Sequence, residues 1–353
     1  MTFDLDSLVR PNIRRLKPYS SARSEFEGSA EVFLDANENA FGSPAGEGFN
    51  RYPDPLQKEL KLRLSEINGL DLRQIFVGNG SDEAIDLLFR IFCEPGKDTC
   101  IVCPPTYGMY RVSADTNDVQ VVEVPLTKES QLDVDEVLAS VLPSTKLIFL
   151  CSPNNPTGNL MRRKDVIRIA REFKGLVVVD EAYIHFAQAE SMLKELSPLP
   201  NLIVLQTFSK AWGMAGLRVG LALAGAEIIE LMNRVKPPYN VSGIAQRAVI
   251  DALDRQGDIE EWITETLSER ANLMNTLQTL DLVEIVYPSD ANFLLVKTED
   301  ANATYRYLVN EKIVVRNRNN VEFCEGCLRV TVGTAAENLR LINALKKYGR
   351  TNL

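Results

Sequence analysis

Histidine is nearly missing from this sequence: His185 is the single one among 353 residues. A histidine-built metal cage and a Ser-His-Asp triad are therefore hard to assemble from it. Cysteine is sparse and scattered, at Cys93, Cys100, Cys103, Cys151, Cys324 and Cys327. Two pairs have C-x-x-C spacing, which raises a zinc site. Cys100 and Cys103 fall in an apolar run read as a buried strand, where side-chain alternation turns the two thiols to opposite faces. Cys324 and Cys327 read as a turn before a strand, and all six are expected to be reduced structural residues. No apolar run approaches the ~18 residues of a membrane span. Met1-Thr-Phe-Asp-Leu-Asp-Ser7 is acidic where a secretory signal would be basic, so a cytoplasmic protein is expected. No G-x-x-x-x-G-K-[ST] occurs, which leaves a P-loop nucleotide hydrolase unsupported. The net charge of −9 argues against nucleic-acid binding.

What is present is an alternation of short apolar runs and amphipathic stretches. The runs are Ile75–Val77, Thr99–Val102, Val119–Val124, Lys146–Cys151, Leu176–Val179, Leu202–Leu205 and Val219–Leu223. Most are apolar throughout, as strands buried on both faces are. Ser81 to Phe92 places Ala84, Leu87, Leu88 and Ile91 at helical spacing, and Asp165 to Phe173 is similar. This pattern predicts an α/β fold: a mainly parallel seven-stranded sheet flanked by helices. Beyond Pro237-Pro238 the character changes. A helical stretch over 243–279, with a break near Gly257, precedes strands at Val283–Val286, Phe293–Lys297, Ile313–Arg316 and Cys327–Thr331 and a helix over 337–348. A smaller α+β domain is expected there. The expected division is an N-terminal arm (1–40) packing with the small domain, a large domain (41–240) and a small domain (241–353).

The chemistry concentrates at the ends of these runs. Lys210 sits in Thr207-Phe-Ser-Lys-Ala-Trp-Gly-Met-Ala-Gly-Leu-Arg218, directly after one run, and Asp180 ends the valine run before Glu181-Ala-Tyr183. A lysine at one strand end and an aspartate at another suit pyridoxal 5′-phosphate, the lysine forming the Schiff base and the carboxylate holding the ring nitrogen protonated. Asn155, in Cys151-Ser-Pro-Asn-Asn-Pro-Thr-Gly158, and Tyr183 are candidate donors to the cofactor's phenolic oxygen, although turn chemistry alone would also explain Asn155. Gly78-Asn-Gly-Ser-Asp-Glu83 opens a helix. Gly80, Ser81 and Asp82 could cradle a phosphate on backbone N–H groups, or Ser81 or Asp82 could serve as a plain helix cap. Thr207, Ser209 and Arg218 would close the cradle. Tyr107 could stack on the pyridine ring or simply pack in the core. No metal is called for. A non-catalytic regulator that binds the cofactor would need an appended basic DNA-binding domain, and no such extension is seen.

These residues resemble the fold-type I aminotransferases of the aspartate aminotransferase superfamily and, within them, the histidinol-phosphate aminotransferases. The resemblance runs nearly end to end. Besides the segments above, it includes Leu34-Asp-Ala-Asn-Glu-Asn39, Arg51-Tyr-Pro-Asp-Pro55 and Leu328-Arg-Val-Thr-Val-Gly-Thr334. Ala40 stands where that family usually has proline.

The resemblance implies a homodimer in which Tyr52 reaches the cofactor phosphate of the neighbouring subunit. It implies that Tyr19 covers the site, that Arg329 binds the carboxylate of glutamate or the anionic tail of the other substrate, and that Arg316 grips a substrate phosphate. Taken alone, the two arginines are also readable as surface residues. The implied reaction passes the amine of L-histidinol phosphate to 2-oxoglutarate, in histidine biosynthesis. A threonine-phosphate decarboxylase and an aromatic amino-acid aminotransferase share the fold and stay open as alternatives.

Overall fold

All seven apolar runs of the first two-thirds of the chain pair into one sheet. The computed structural model describes residues 3–19 and 30–352. The strands are β1 (Ile75–Asn79), β2 (Thr99–Val102), β3 (Gln120–Glu123), β4 (Thr145–Cys151), β5 (Leu176–Asp180), β6 (Leu202–Thr207) and β7 (Val219–Leu223), in the order β1-β7-β6-β5-β4-β2-β3. Neighbours from β6 through β3 run parallel. β7 runs antiparallel to both β1 and β6. It follows β6 after only the loop that carries Lys210, too short for the crossover a parallel return requires.

The continuous apolar character of these strands reflects burial on both faces. One face packs Ile101, Ile148, Val177 and Val204 against Leu60, Ile169 and Val249. The other packs Cys100, Phe149, Val178 and Leu205 against Leu88, Phe92 and Met232. Each such side chain contributes roughly 1.5–3 kcal/mol through its removal from water. Cys100 and Cys103 lie on opposite faces, as alternation requires. All six cysteines are free and buried. Cys324 and Cys327 pack with Leu295. Among the described residues no cluster of three or more His, Cys, Asp or Glu side chains is arranged to hold a metal. No described helix is long and apolar enough to cross a membrane.

The second sheet comprises β8 (Val283–Val286), β9 (Phe293–Thr298), β10 (Arg316–Asn317) and β11 (Cys327–Thr331), all antiparallel, in the order β10-β11-β9-β8. Leu294, Val296, Leu328 and Val330 form its core with Leu273, Leu277, Leu341 and Leu345.

Three expectations change. The strand expected over Ile313–Arg316 is reduced to Arg316–Asn317. Ile313 still closes the preceding helix through its N–H to Leu308 O, after Lys312 at φ +63°. The small domain begins later than residue 241, because helix Gly243–Leu253 buries Ala245, Val249 and Leu253 in the large-domain core; the chain breaks at Asp254–Arg255 before helix Gln256–Leu277. The described part of the N-terminal arm packs on the large domain rather than the small one. Leu5, Leu8, Val9 and Ile13 join the face that contains Phe89 and Phe92, and the Arg10 N–H donates to Ile91 O at 3.0 Å.

One strand position shows how tightly the sheet is built around the site. Gly220 of β7 lies between Gly78 and Thr207, and a Cβ there would fall 2.2 Å from Ser81 N and 2.4 Å from Gly80 C. The loop after β1 crosses directly over it. Gly220→Ala is expected to destabilise the protein by about 2–3 kcal/mol through overpacking, seen as a lower urea midpoint with an unchanged slope.

Candidate active site

The edge of the large sheet where β1, β4, β5 and β6 end collects nearly every chemically distinctive side chain. A cavity of about 160 Å³ there is lined by Ser81, Asp82, Tyr107, Asn155, Asp180, Tyr183, Thr207, Ser209, Lys210 and Arg218, with Cys151, Ala182 and Ala215. Arg218 precedes its strand rather than ending one. It reaches this edge because β7 is reversed, so that its start lies where the parallel strands finish.

Asp180 is the last residue of a fully buried strand and is 3% exposed. Its Oδ2 accepts from the Tyr110 hydroxyl at 2.8 Å and its Oδ1 from the Ala182 N–H at 3.0 Å. Among the described residues no ion pair involves it. Burial pushes this carboxyl above its ordinary range, and the two hydrogen bonds oppose that shift. A carboxylate so placed calls for a cation on the open side of the cavity.

Lys210 follows β6 and opens into the same cavity. Its Nζ lies 5.6 Å from the centre of the Tyr183 ring. Partial desolvation, with Arg329 and Arg218 nearby, holds its amine below the ordinary lysine range, against the attraction of Asp180. A lowered amine has a larger neutral fraction, the form that attacks a carbonyl or takes a proton. Tyr183 and Asn155 come together as the sequence suggested, with Asn155 Nδ2 donating to the Tyr183 hydroxyl at 3.4 Å.

The turn after β1 faces the Arg218 guanidinium. Gly80 caps helix Ser81–Phe92 at φ +76° with no side-chain hydrogen bond to the helix, so the plain capping role open to Ser81 or Asp82 is not used. A Cβ at Gly80 would sit 2.8 Å from Arg218 Nη2. Arg218 itself adopts φ +55° and donates to Asp82 Oδ2 at 3.2 Å and Ser209 Oγ at 3.4 Å. Ser209 N donates to Thr207 Oγ1 at 3.1 Å. Tyr107 is tied to the same turn through its hydroxyl, 3.1 Å from Asp82 Oδ1.

A larger cavity of about 850 Å³ adjoins the first and shares Tyr107, Asn155, Tyr183 and Lys210 with it. Its small-domain wall presents Arg316, Arg318 and Arg329. Arg316 and Arg329 face each other across β10 and β11, and Arg329 Nη1 donates to Asn155 Oδ1 at 2.6 Å. Arg318 was not among the residues singled out in the sequence. Its Nε is buried without a hydrogen-bond partner, and burial, with Arg329 and Arg316 beside it, holds it below the ordinary arginine range. The signal was there in Val315-Arg-Asn-Arg318, since alternation turns residues 316 and 318 to one side. Tyr110 was also missed. Tyr52 stacks on Tyr239 at 4.4 Å and 15°, is half exposed and lines neither cavity. Tyr19 is 76% exposed and also lines neither. His185 is half-buried, partial desolvation holds its imidazole below the usual range, and it lines neither cavity.

Comparison with known proteins agrees with this geometry. The family described as aminotransferase class I and II matches residues 24–345. The chain belongs to that family. It is 52% identical to the histidinol-phosphate aminotransferase of Cytophaga hutchinsonii, across 99% of this chain and 100% of that one. It is 53% identical to the enzyme of the same name from Bacteroides fragilis, across 98% and 99%. Among solved structures, the histidinol-phosphate aminotransferase of Sinorhizobium meliloti in complex with pyridoxal-5′-phosphate superposes with a TM-score of 0.79 at 26% identity, covering 90% of each chain. The protein is thus a fold-type I aminotransferase that uses pyridoxal phosphate. The unpaired Asp180, the side-chain-free turn at Gly80 and the lowered Lys210 amine fit that cofactor's ring nitrogen, phosphate and aldehyde respectively. Lys210→Ala should abolish the near-ultraviolet/visible band that reports the cofactor's covalent bond to the protein. A band that survives dialysis of the variant would assign that bond to another lysine.

Proposed function

We propose that the protein transfers the amine of L-histidinol phosphate to 2-oxoglutarate, giving imidazole-acetol phosphate and L-glutamate in histidine biosynthesis. The observation that carries this reading is the set of three arginines, Arg316, Arg318 and Arg329, facing the shared residues Asn155 and Lys210. Among the described residues none of the three pairs with a carboxylate. Such a wall suits a dianionic tail, and it suits the carboxylates of 2-oxoglutarate in the second half of the reaction. The names of the relatives point the same way.

Bound pyridoxal phosphate supplies an electron-withdrawing ring and an aldehyde that holds the substrate amine. Asp180 would hold the proton of the ring nitrogen, Tyr183 and Asn155 would donate to the phenolic oxygen, and the turn at Gly80, Ser81 and Asp82 with Ser209 and Arg218 would hold the phosphate. Thr207 fixes Ser209, and Tyr107 would cover one ring face. Lys210 Nζ, an amine of lowered pKa that opens into both cavities, would take and return a proton at the substrate α-carbon, the work of a positioned base. Arg329, held by Asn155, orients the substrate carboxylate or phosphate and so sets which bond at the α-carbon faces the ring.

The active unit is a homodimer, with Tyr52 reaching the partner's cofactor phosphate and Tyr19 covering the site. What supports this is the exposure of Val32, Leu34, Phe41, Phe49 and Leu56 along the segment that carries Tyr52, an apolar surface that a second copy would cover. The protein works in the cytoplasm on small molecules.

Glutamate formation from 2-oxoglutarate is expected with histidinol phosphate as donor and to be far weaker with phenylalanine or aspartate. Reaction with the amino acids alone would overturn the phosphate reading, and CO2 release from phosphothreonine would replace it with decarboxylation. Mixed dimers give a second check. Lys210→Ala and Tyr52→Ala chains, each weak alone, should regain activity when refolded together, because one of the two sites then holds both intact residues.

A further inference from the structure

One fully buried phenol takes no direct part in that scheme. Tyr110, in helix Met109–Thr116, is 0% exposed. Its ring stacks on Phe149 of β4 at 4.9 Å and 18° and meets Tyr107 edge-on at 5.5 Å and 84°. These neighbours lock the ring, because a close-packed interior leaves no second rotamer. The locked hydroxyl donates to Asp180 Oδ2 at 2.8 Å. Asp180 thus has two neutral donors, Tyr110 and the Ala182 N–H, and its strand neighbours are apolar. An anion with so little support lies close to neutralisation by protonation.

We propose that Tyr110 is a positioning residue that keeps Asp180 ionised and aimed at the ring nitrogen of the cofactor. The titratable groups facing the carboxylate are Tyr110, Tyr107, Tyr183, Cys151, Asp82 and Lys210. Among these, only Tyr110 donates a hydrogen bond to it. Burial keeps Tyr110, Tyr183 and Cys151 protonated at neutral pH. Lys210 favours the Asp180 anion and Asp82 disfavours it. The sign of the effect follows. Removing the phenol donor raises the Asp180 pKa in the empty site. A protonated Asp180 cannot pair with a protonated ring nitrogen, so cofactor affinity falls and its acid-side loss begins at higher pH.

This inference rests on the cofactor assignment, and a direct binding titration separates the two. Chains stripped of cofactor are titrated with pyridoxal phosphate from acid to mildly alkaline pH, and their thermal melts are recorded. Tyr110→Phe is expected to bind roughly ten- to a hundredfold more weakly, the range for losing a hydrogen bond to a charged group, with its acid limb shifted upward. A variant with the wild-type affinity and pH profile overturns the proposal. So does one whose melting temperature falls while the acid limb stays in place, since that is the mark of a structural role alone. Tyr110→His provides the second arm. An imidazolium beside Asp180 favours the anion, so the acid limb should move below the wild-type one. Coincidence with the wild-type limb overturns the proposal even where Tyr110→Phe does not fold. Failure of the wild-type chain to bind pyridoxal phosphate would instead overturn the cofactor assignment.

Discussion

A single buried carboxylate organises this molecule. Asp180 stands at the end of a central strand, in an interior built to exclude water, and its charge is tolerated only because donors converge on it and a cation can approach from the open side. The requirement reaches outward. Tyr110 must be locked by Phe149 and Tyr107, which in turn requires the helix after β2 to press on that end of the sheet. The residues proposed to meet the rest of the cofactor line the same edge.

The second constraint is steric. Two loops far apart in sequence, the turn after β1 and the one carrying Lys210, approach each other over β7. Gly220 allows the first to cross the strand, and Gly80 leaves room for the Arg218 guanidinium that closes the second. Arg218 accepts a left-handed backbone to reach that place. Backbone strain of this kind is sustained where the surroundings fix it, and here Asp82, Ser209 and Ala215 all hold the side chain.

Most of this was legible in the sequence because burial on both faces writes itself as uninterrupted apolar runs, and because the residues that follow such runs gather at one sheet edge. Lys210, Asp180, Asn155 and Tyr183 could be placed together on that ground. Tyr110 was not legible. It lies one helical step from Tyr107, inside an amphipathic segment where a tyrosine reads as core, and only the packing of Phe149 turns its hydroxyl toward Asp180. Arg318 was hidden for a different reason, since two strand arginines separated by one residue are most often a solvated edge. The packing of helix Gly243–Leu253 on the large-domain core was not legible, because periodicity reports which residues are buried and not against what.

The residues proposed to hold the cofactor and the arginines proposed to hold the substrate sit largely on different sheets. Tyr52 apart, the side chains proposed to meet the phosphate, ring and aldehyde belong to the large sheet or its loops, whereas Arg316, Arg318 and Arg329 ride on the small sheet. The Arg329–Asn155 hydrogen bond is a direct side-chain link between the two groups. A sideways slip of the small sheet would therefore retune which anion fits the pocket while the prosthetic group kept its seat, so selectivity in this scaffold is free to drift through the arginine face without any change in the reactive centre.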